Sequence, residues 1–207
     1  MALDYGSLEF LTGAGSPGGL PEDGGCEVAF AGRSNAGKSS ALNAVAGRRA
    51  LARTSKTPGR TQQINFFALD GQRRLVDLPG YGFAKAPEDA RRRWSRLVES
   101  YLRHRRSLAA LVLLMDARRP LTDLDRQMVT WSVECGVALH AVLTKADKLG
   151  RGAAAGALAA TRRDLAPLGD AVSTQLFSAT RGDGLDALKR RLDGWLAVDG
   201  DGEAAAL

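Results

Sequence analysis

Gly32-Arg33-Ser34-Asn35-Ala36-Gly37-Lys38-Ser39 fits the pattern G-x-x-x-x-G-K-[ST] in full. It follows a strand-like apolar run (Val28, Ala29, Phe30) and opens a helix-like one, so a strand, a tight glycine loop and a helix must follow one another here. The glycines let successive backbone N–H groups curl around a phosphate, and the N-terminus of the new helix adds positive potential. Lys38 can then neutralise the outer phosphates while the Ser39 hydroxyl coordinates magnesium. A chance glycine-rich turn would lack the strand before it and the helix after it. By itself the motif implies a nucleoside triphosphate and leaves the base open.

The alternation continues along the chain. Apolar runs at 27–31, 63–69, 73–77, 110–116, 137–144 and 172–177 are separated by longer segments with helical spacing. Asp70-Gly71 is a tight-turn dipeptide between two of them, so residues 63–69 and 73–77 are predicted to form an antiparallel hairpin, and every other strand leads into a crossover. The expectation is an α/β fold in three layers: a mixed six-stranded sheet, mostly parallel with one antiparallel strand, and helices on both faces. Its ligand should lie at the carboxyl ends of the strands. One helix is readable in detail. Pro87 suits its first turn, Glu88 and Asp89 its positive end, and Arg103, Arg105 and Arg106 its negative end, while Trp94, Leu97, Val98, Tyr101 and Leu102 form an apolar stripe.

A chain of 207 residues, 44% apolar and 25% charged, suits one globular domain and excludes a disordered or disulfide-stapled chain. The domain is expected over 26–198, after a flexible Gly/Pro-rich arm over 1–25 with only a short strand near Leu8 to Leu11, and before a disordered tail over 199–207. The longest apolar run, Leu108 to Met115, spans eight residues. A membrane helix needs about 20, and no basic region leads into an apolar stretch at the N-terminus, so a cytoplasmic protein with no membrane partner is expected. Nothing demands a dimer, and a monomer is expected. Cys26 and Cys135 lack metal-ligand spacing and read as reduced structural residues. The net charge of +6 favours a polyanionic partner, but 23 of the 29 cations are arginine, which a GC-rich coding bias also produces; both readings stay open.

Three further segments carry chemistry. Asp77-Leu78-Pro79-Gly80 ends a strand, where the carboxylate can hold a magnesium-bound water and the Gly80 N–H can meet a terminal phosphate. Thr144-Lys145-Ala146-Asp147 also ends a strand; a carboxylate there accepts both hydrogen bonds from the N1 and N2 edge of guanine, and adenine offers no such pair. Ser178-Ala179-Thr180 ends the last strand, where a backbone N–H can contact the guanine oxygen. Between the first two motifs lies the polar segment Lys56-Thr57-Pro58-Gly59-Arg60-Thr61-Gln62, in which the Thr61 hydroxyl can complete the magnesium shell once a terminal phosphate is present, as in a switch.

In this order the motifs resemble the translation-factor class of P-loop GTPases. The wording GRSNAGKSS, KTPGRTQQINFF, LVDLPGYGFAK, LTKADKL and FSA resembles the EngB (YihA/YsxC) family over about residues 26 to 196. That resemblance implies a bacterial GTP-binding protein with slow GTP hydrolysis that assists assembly of the large ribosomal subunit and is tied to normal cell division and septation. Carried over residue by residue, it implies a GTP site made of Gly32, Arg33, Ser34, Asn35, Ala36, Gly37, Lys38, Ser39 and Ser40, then Gly59, Arg60, Thr61, Gln62 and Gln63. Asp77, Leu78, Pro79 and Gly80, Thr144, Lys145, Ala146 and Asp147, and Ser178, Ala179 and Thr180 complete it. Magnesium falls to Ser39, Thr61 and, through water, Asp77, while Lys38, Thr61 and Gly80 face the reacting phosphate. Tyr81 stands where many small GTPases place the glutamine that orients the attacking water, so hydrolysis should be slow without activation. Asn35 matches an asparagine that relatives use to bind potassium; bracing the loop is its other reading. A non-catalytic, nucleotide-dependent scaffold in cell division is the alternative function, and a phosphate-loop kinase would not need Asp147.

GTP with magnesium is expected to order the segment around Thr61 and the stretch Tyr81 to Lys85, creating a surface for the large ribosomal subunit or its rRNA. Arg91, Arg92, Arg93, Arg96, Arg103, Arg105 and Arg106 are candidate rRNA contacts. The bland alternative is a solvated helix face, because Glu88 with Arg92, Asp89 with Arg93 and Glu99 with Arg103 are i, i+4 pairs. His104 and His140 lack partners at ligand spacing, and Trp94, Trp131 and Trp195 read as core anchors. Lys85, Arg118 and Arg119 stay unassigned.

Overall fold

The computed structural model describes residues 2–52, 63–82 and 88–197. Gly59, Arg60, Thr61, Gln62, Lys85, Pro87 and the tail over 199–207 therefore lie outside the described residues. The strands are β1 (Glu9–Ala14), β2 (Cys26–Gly32), β3 (Ile64–Ala68), β4 (Arg73–Asp77), β5 (Leu108–Asp116), β6 (Ala138–Thr144) and β7 (Val172–Leu176). The helices are α1 (Lys38–Val45), α2 (Glu88–His104), α3 (Asp123–Glu134), α4 (Arg151–Leu165) and α5 (Leu185–Trp195). Among the described residues the strands form one sheet in the order β1-β3-β4-β2-β5-β6-β7. β3 pairs antiparallel with both β1 and β4, and the other pairings are parallel. The hairpin turns where expected: the Asp70 carboxylate accepts the N–H groups of Gln72 and Arg73, each at 2.9 Å.

The sheet has seven strands rather than the expected six, and the additional one comes from the arm. Residues 2–25 lie against the domain instead of trailing from it. Tyr5 and Leu8 are buried, and the Tyr5 hydroxyl donates to Asp193 of α5 at 2.8 Å. Phe10 meets Phe67 edge to face at 5.9 Å. The register slips between Phe10 and Thr12, and such a bulge on an edge strand discourages further pairing. Of the glycines that argued for looseness, Gly13 lies within β1 and Gly25 turns the chain into β2, with φ +72 and a would-be Cβ 2.0 Å from the Gln72 carbonyl oxygen.

Strands β2 and β5 are buried on both faces, which is why they read as near-continuous apolar runs. Val28 and Phe30 pack with Leu42 and Val45 of α1 and with Leu188 and Leu192 of α5. On the other face, Ala29 and Ala31 pack with α2 and α3. The apolar stripe of α2, from Trp94 to Leu102, is buried as the spacing predicts. Two of its i, i+4 pairs are present, Glu88 with Arg92 at 2.5 Å and Glu99 with Arg103 at 3.0 Å.

The helix ends at His104, so Arg105 and Arg106 lie beyond its last turn. Arg105 is not a surface cation: it is buried and grips Glu27, with Nε 2.9 Å from Oε2 and Nη2 2.6 Å from Oε1. The Glu27 carboxylate also accepts from Arg74 at 3.0 Å and from the Tyr101 hydroxyl at 2.9 Å. Arg105 gives two further N–H groups to the carbonyls of Pro21 and Glu22, which ties the arm to the start of β2.

Candidate functional site

The pairings Phe30 with Asp77, Gly32 with Leu114, Asp116 with Thr144 and Leu143 with Leu176 align the carboxyl ends of β2, β4, β5, β6 and β7 along one edge. The phosphate-loop motif runs from the last residue of β2 to the first turn of α1. Asn35 (φ +64) and Gly37 (φ +92) are in the left-handed region, which bends the loop back on itself. At Gly32 a Cβ would lie 2.7 Å from the Leu114 carbonyl oxygen, so only glycine lets the loop leave β2 against β5. Gly37 caps α1 with no side-chain hydrogen bond, leaving the first N–H groups of the helix for an anion. Ser39 and Ser40 stand in that first turn. The Lys38 ammonium donates to the Asp77 carboxylate, and each of the two side chains is 11% exposed.

The acidic turn is docked on the loop. The Leu78 N–H donates to the Phe30 carbonyl at 2.9 Å, and the Ser34 N–H donates to the Tyr81 carbonyl at 2.7 Å. A Cβ built on Gly80 would be 3.7 Å from both the Gly32 carbonyl oxygen and the Ser34 nitrogen. Tyr81 is buried, and its hydroxyl donates to Asp125 of α3 at 2.7 Å, so the position that often carries a water-orienting amide carries a phenol engaged elsewhere. Gln63 precedes β3, whose pairing of Asn65 with Asp77 puts it at the same end of the sheet, beside Gly13 of β1.

Lys145 adopts φ +56, an uncommon conformation for a residue with a side chain. Its ammonium donates to the Asn35 carbonyl of the phosphate loop at 2.5 Å and to Asp116 Oδ2 at 3.0 Å. Arg118 fixes Asp116 in turn, with Nε at 2.9 Å, Nη2 at 2.7 Å and its backbone N–H at 3.0 Å. That Arg118 fork, followed by Lys145, holds the Asp116 carboxyl far below the usual carboxylate range. Arg118 to Asp116 to Lys145 to the Asn35 carbonyl is a continuous brace, and sequence reading missed it. The available signal was a carboxylate ending an apolar strand, with a cation two residues on. The Thr144 hydroxyl lies 2.5 Å from the Ala36 carbonyl and 3.0 Å from that of Met115, tying the same strand end to the loop.

The Ser178 hydroxyl donates to Asp147 Oδ1 at 2.7 Å, the Lys148 ammonium lies 3.5 Å from Oδ2, and the Ser178 bond above all keeps the Asp147 carboxyl lower than usual. The Ala146 N–H donates to the Phe177 carbonyl at 3.1 Å, joining the β6 and β7 ends, with Ala179 and Thr180 exposed beside them. A cavity of about 340 Å³ opens next to the loop, lined by Arg33, Ser34, Asn35, Asp116, Arg119 and Lys145.

A glycine loop between strand and helix, an acid at the neighbouring strand end and a fixed carboxylate two strands away define a P-loop GTPase. The family described as "50S ribosome-binding GTPase" matches residues 27–145. The "Probable GTP-binding protein EngB" of Aromatoleum aromaticum is 52% identical over 197 residues, covering 95% of this chain and 91% of the relative. The protein of the same description from Azoarcus sp. is 52% identical, covering 98% of this chain and 99% of its own. A crystal structure of a probable GTP-binding protein EngB superposes with a TM-score of 0.67 at 21% identity, covering 83% of this chain and 98% of that one. Era in complex with MgGDPNP and a fragment of 16S ribosomal RNA shares the fold, with a TM-score of 0.63 at 16% identity over 90% of this chain and 61% of that one. The chain belongs to the EngB family of GTP-binding proteins, and it is a GTPase.

Proposed function

We propose that this GTPase is a cytoplasmic, monomeric switch that binds the large ribosomal subunit or its rRNA in the GTP state during subunit assembly, and that this role supports normal cell division and septation. The observation that carries the reading is the unfinished pairing at the strand ends: Lys38 and Asp77 hold one another at the N-terminus of α1, whose first N–H groups have no side-chain cap. On binding, the phosphates take up those N–H groups and Lys38. Asp147, oriented by Ser178, accepts the N1 and N2 hydrogens of guanine, a backbone N–H of Ala179 or Thr180 meets the guanine oxygen, and Lys145 braces the loop.

The donor set fits magnesium, since a hydroxyl and a carboxylate are hard oxygen ligands and the ion takes its other ligands from phosphate and water. Ser39 would hold it directly, Asp77 through water and Thr61 in the triphosphate state; once bound, it neutralises charge developing between the outer phosphates. Asn35, exposed at the turn of the loop, would supply a potassium ligand there. Water attacks the terminal phosphorus and the bond to the bridging oxygen breaks, giving GDP and phosphate. Gly80 supplies an N–H to the transferred group. Tyr81 is committed to Asp125 and offers no amide to that water, so unassisted turnover is slow.

GTP turnover with isolated large subunits, together with co-sedimentation in GTP-analogue and GDP states, tests this reading. Stimulated turnover and sedimentation favoured by the analogue are expected. Absence of both at every subunit concentration would overturn it in favour of a non-catalytic scaffold.

A further inference from the structure

Tyr81 touches three parts of the molecule at once. Its carbonyl accepts the phosphate-loop N–H of Ser34 at 2.7 Å, its ring lies 5.5 Å from that of Trp94, and its hydroxyl donates to Asp125 Oδ1 at 2.7 Å. Trp94 in turn donates from Nε1 to the Pro79 carbonyl at 2.8 Å and stacks on Trp131 of α3 at 6.2 Å. Asp125 is 1% exposed, and its second oxygen closes the cap of α3 by accepting from the Thr122 N–H at 2.9 Å and the Thr122 hydroxyl at 2.7 Å. A single buried carboxylate therefore serves a helix cap with one oxygen and the acidic turn with the other. Helix capping alone does not require a phenol there.

We propose that Tyr81 and Asp125 are a positioning pair: their hydrogen bond sets where the turn carrying Asp77 and Gly80 stands against the phosphate loop, and so tunes the ratio of affinities for a nucleoside triphosphate and the diphosphate. Gly80 lies between two anchored neighbours, the Pro79 carbonyl held by Trp94 and Tyr81 held by Ser34 and Asp125. Its N–H serves only the terminal phosphate, so loosening the turn weakens triphosphate binding and leaves the diphosphate contacts of Lys38 and the loop in place. The buried phenol, beside a carboxylate, has its pKa pushed far above the ordinary tyrosine value and stays a donor at any physiological pH.

The test is the ratio of affinities for a non-hydrolysable GTP analogue and GDP. In Tyr81→Phe the analogue should bind about tenfold more weakly and GDP within about twofold of wild type, the size expected for one lost hydrogen bond to a buried carboxylate. Tyr81→Phe combined with Asp125→Ala should lower the ratio no further than Asp125→Ala alone, because the two residues act through one bond. Thr122→Val, which removes a hydroxyl bond to the other oxygen of Asp125 and leaves the Thr122 N–H and the Tyr81 bond in place, should leave the ratio unchanged while lowering thermal stability. Equal losses for both nucleotides in Tyr81→Phe, an unchanged ratio, or a Thr122→Val effect as large as that of Tyr81→Phe would each overturn the pair. The inference rests on the switch reading for its consequence, and wild-type protein tests that reading separately. Identical hydrogen exchange over residues 77–82 with the analogue and GDP would sink the switch, whereas a nucleotide-dependent difference with an unchanged Tyr81→Phe ratio would sink the pair alone.

Discussion

Strand β2 carries an ion pair near each of its ends, and the two are built oppositely. At its start, Glu27 is fully buried and its carboxylate receives four donors from Arg105, Arg74 and Tyr101, while Arg105 gives two further N–H groups to backbone carbonyls. Just past its end, Lys38 has three ammonium protons, and among the described residues Asp77 is its one partner. The first cluster is saturated and can only hold the fold. The second keeps donor and acceptor capacity in reserve beside the uncapped N-terminus of α1, the condition for exchanging a protein partner for phosphate and metal. Saturation, rather than burial or charge, separates the structural pair from the functional one.

Breaking each pair should expose that difference. Glu27→Ala strands a buried guanidinium and should cost about 3–5 kcal/mol of folding stability, read from urea denaturation; a loss within experimental error would mean the network is not what holds the arm to the core. Lys38→Ala should cost the fold only about 1–2 kcal/mol, because ligand and water can reach Asp77. In the same variant GTP affinity, measured calorimetrically, should fall by about 30-fold or more, as expected for a charge lost from a desolvated ionic contact. Asp116→Ala releases Lys145 from its brace and strands the Arg118 fork; about a tenfold loss of GDP affinity and a lowered unfolding midpoint, the shift smaller than that of Glu27→Ala, are the expected outcome. The smallest effect concerns α2. Charge reversal at the exposed Arg93 and Arg96 should weaken large-subunit binding and flatten its salt dependence by about one power per lost phosphate contact, with nucleotide affinity unaffected.

The sequence exposes those parts of the fold whose cause is local. Strand runs, the Asp70-Gly71 hairpin and the α2 stripe follow from periodicity within a few residues, and the loop motif carries its own backbone demands. What stayed hidden depends on distant partners. β1 reads only as a short strand near Leu8 to Leu11 in a glycine-rich arm, and its docking on the sheet stays hidden because its ladder lies with residues 64–68. Arg105 reads as a surface cation because Glu27, the partner that permits its burial, is 78 residues away. The Arg118 brace needs the meeting of two strand ends, and Tyr81 turns inward only because α3 brings Asp125 to it. In the site, the types and order of residues were legible, while the second layer that fixes their geometry was not.

The central claim is that the saturated end of β2 holds the fold while the opposite end binds a guanine nucleotide, with Asp147 reading the base. Exchanging Asp147 for Asn and measuring GTP and xanthosine triphosphate affinities tests it most directly. An asparagine amide donates where the carboxylate accepted, so GTP binding should collapse and the xanthine nucleotide should bind in its place, with the unfolding midpoint essentially unchanged. An unaltered preference for GTP would contradict the account.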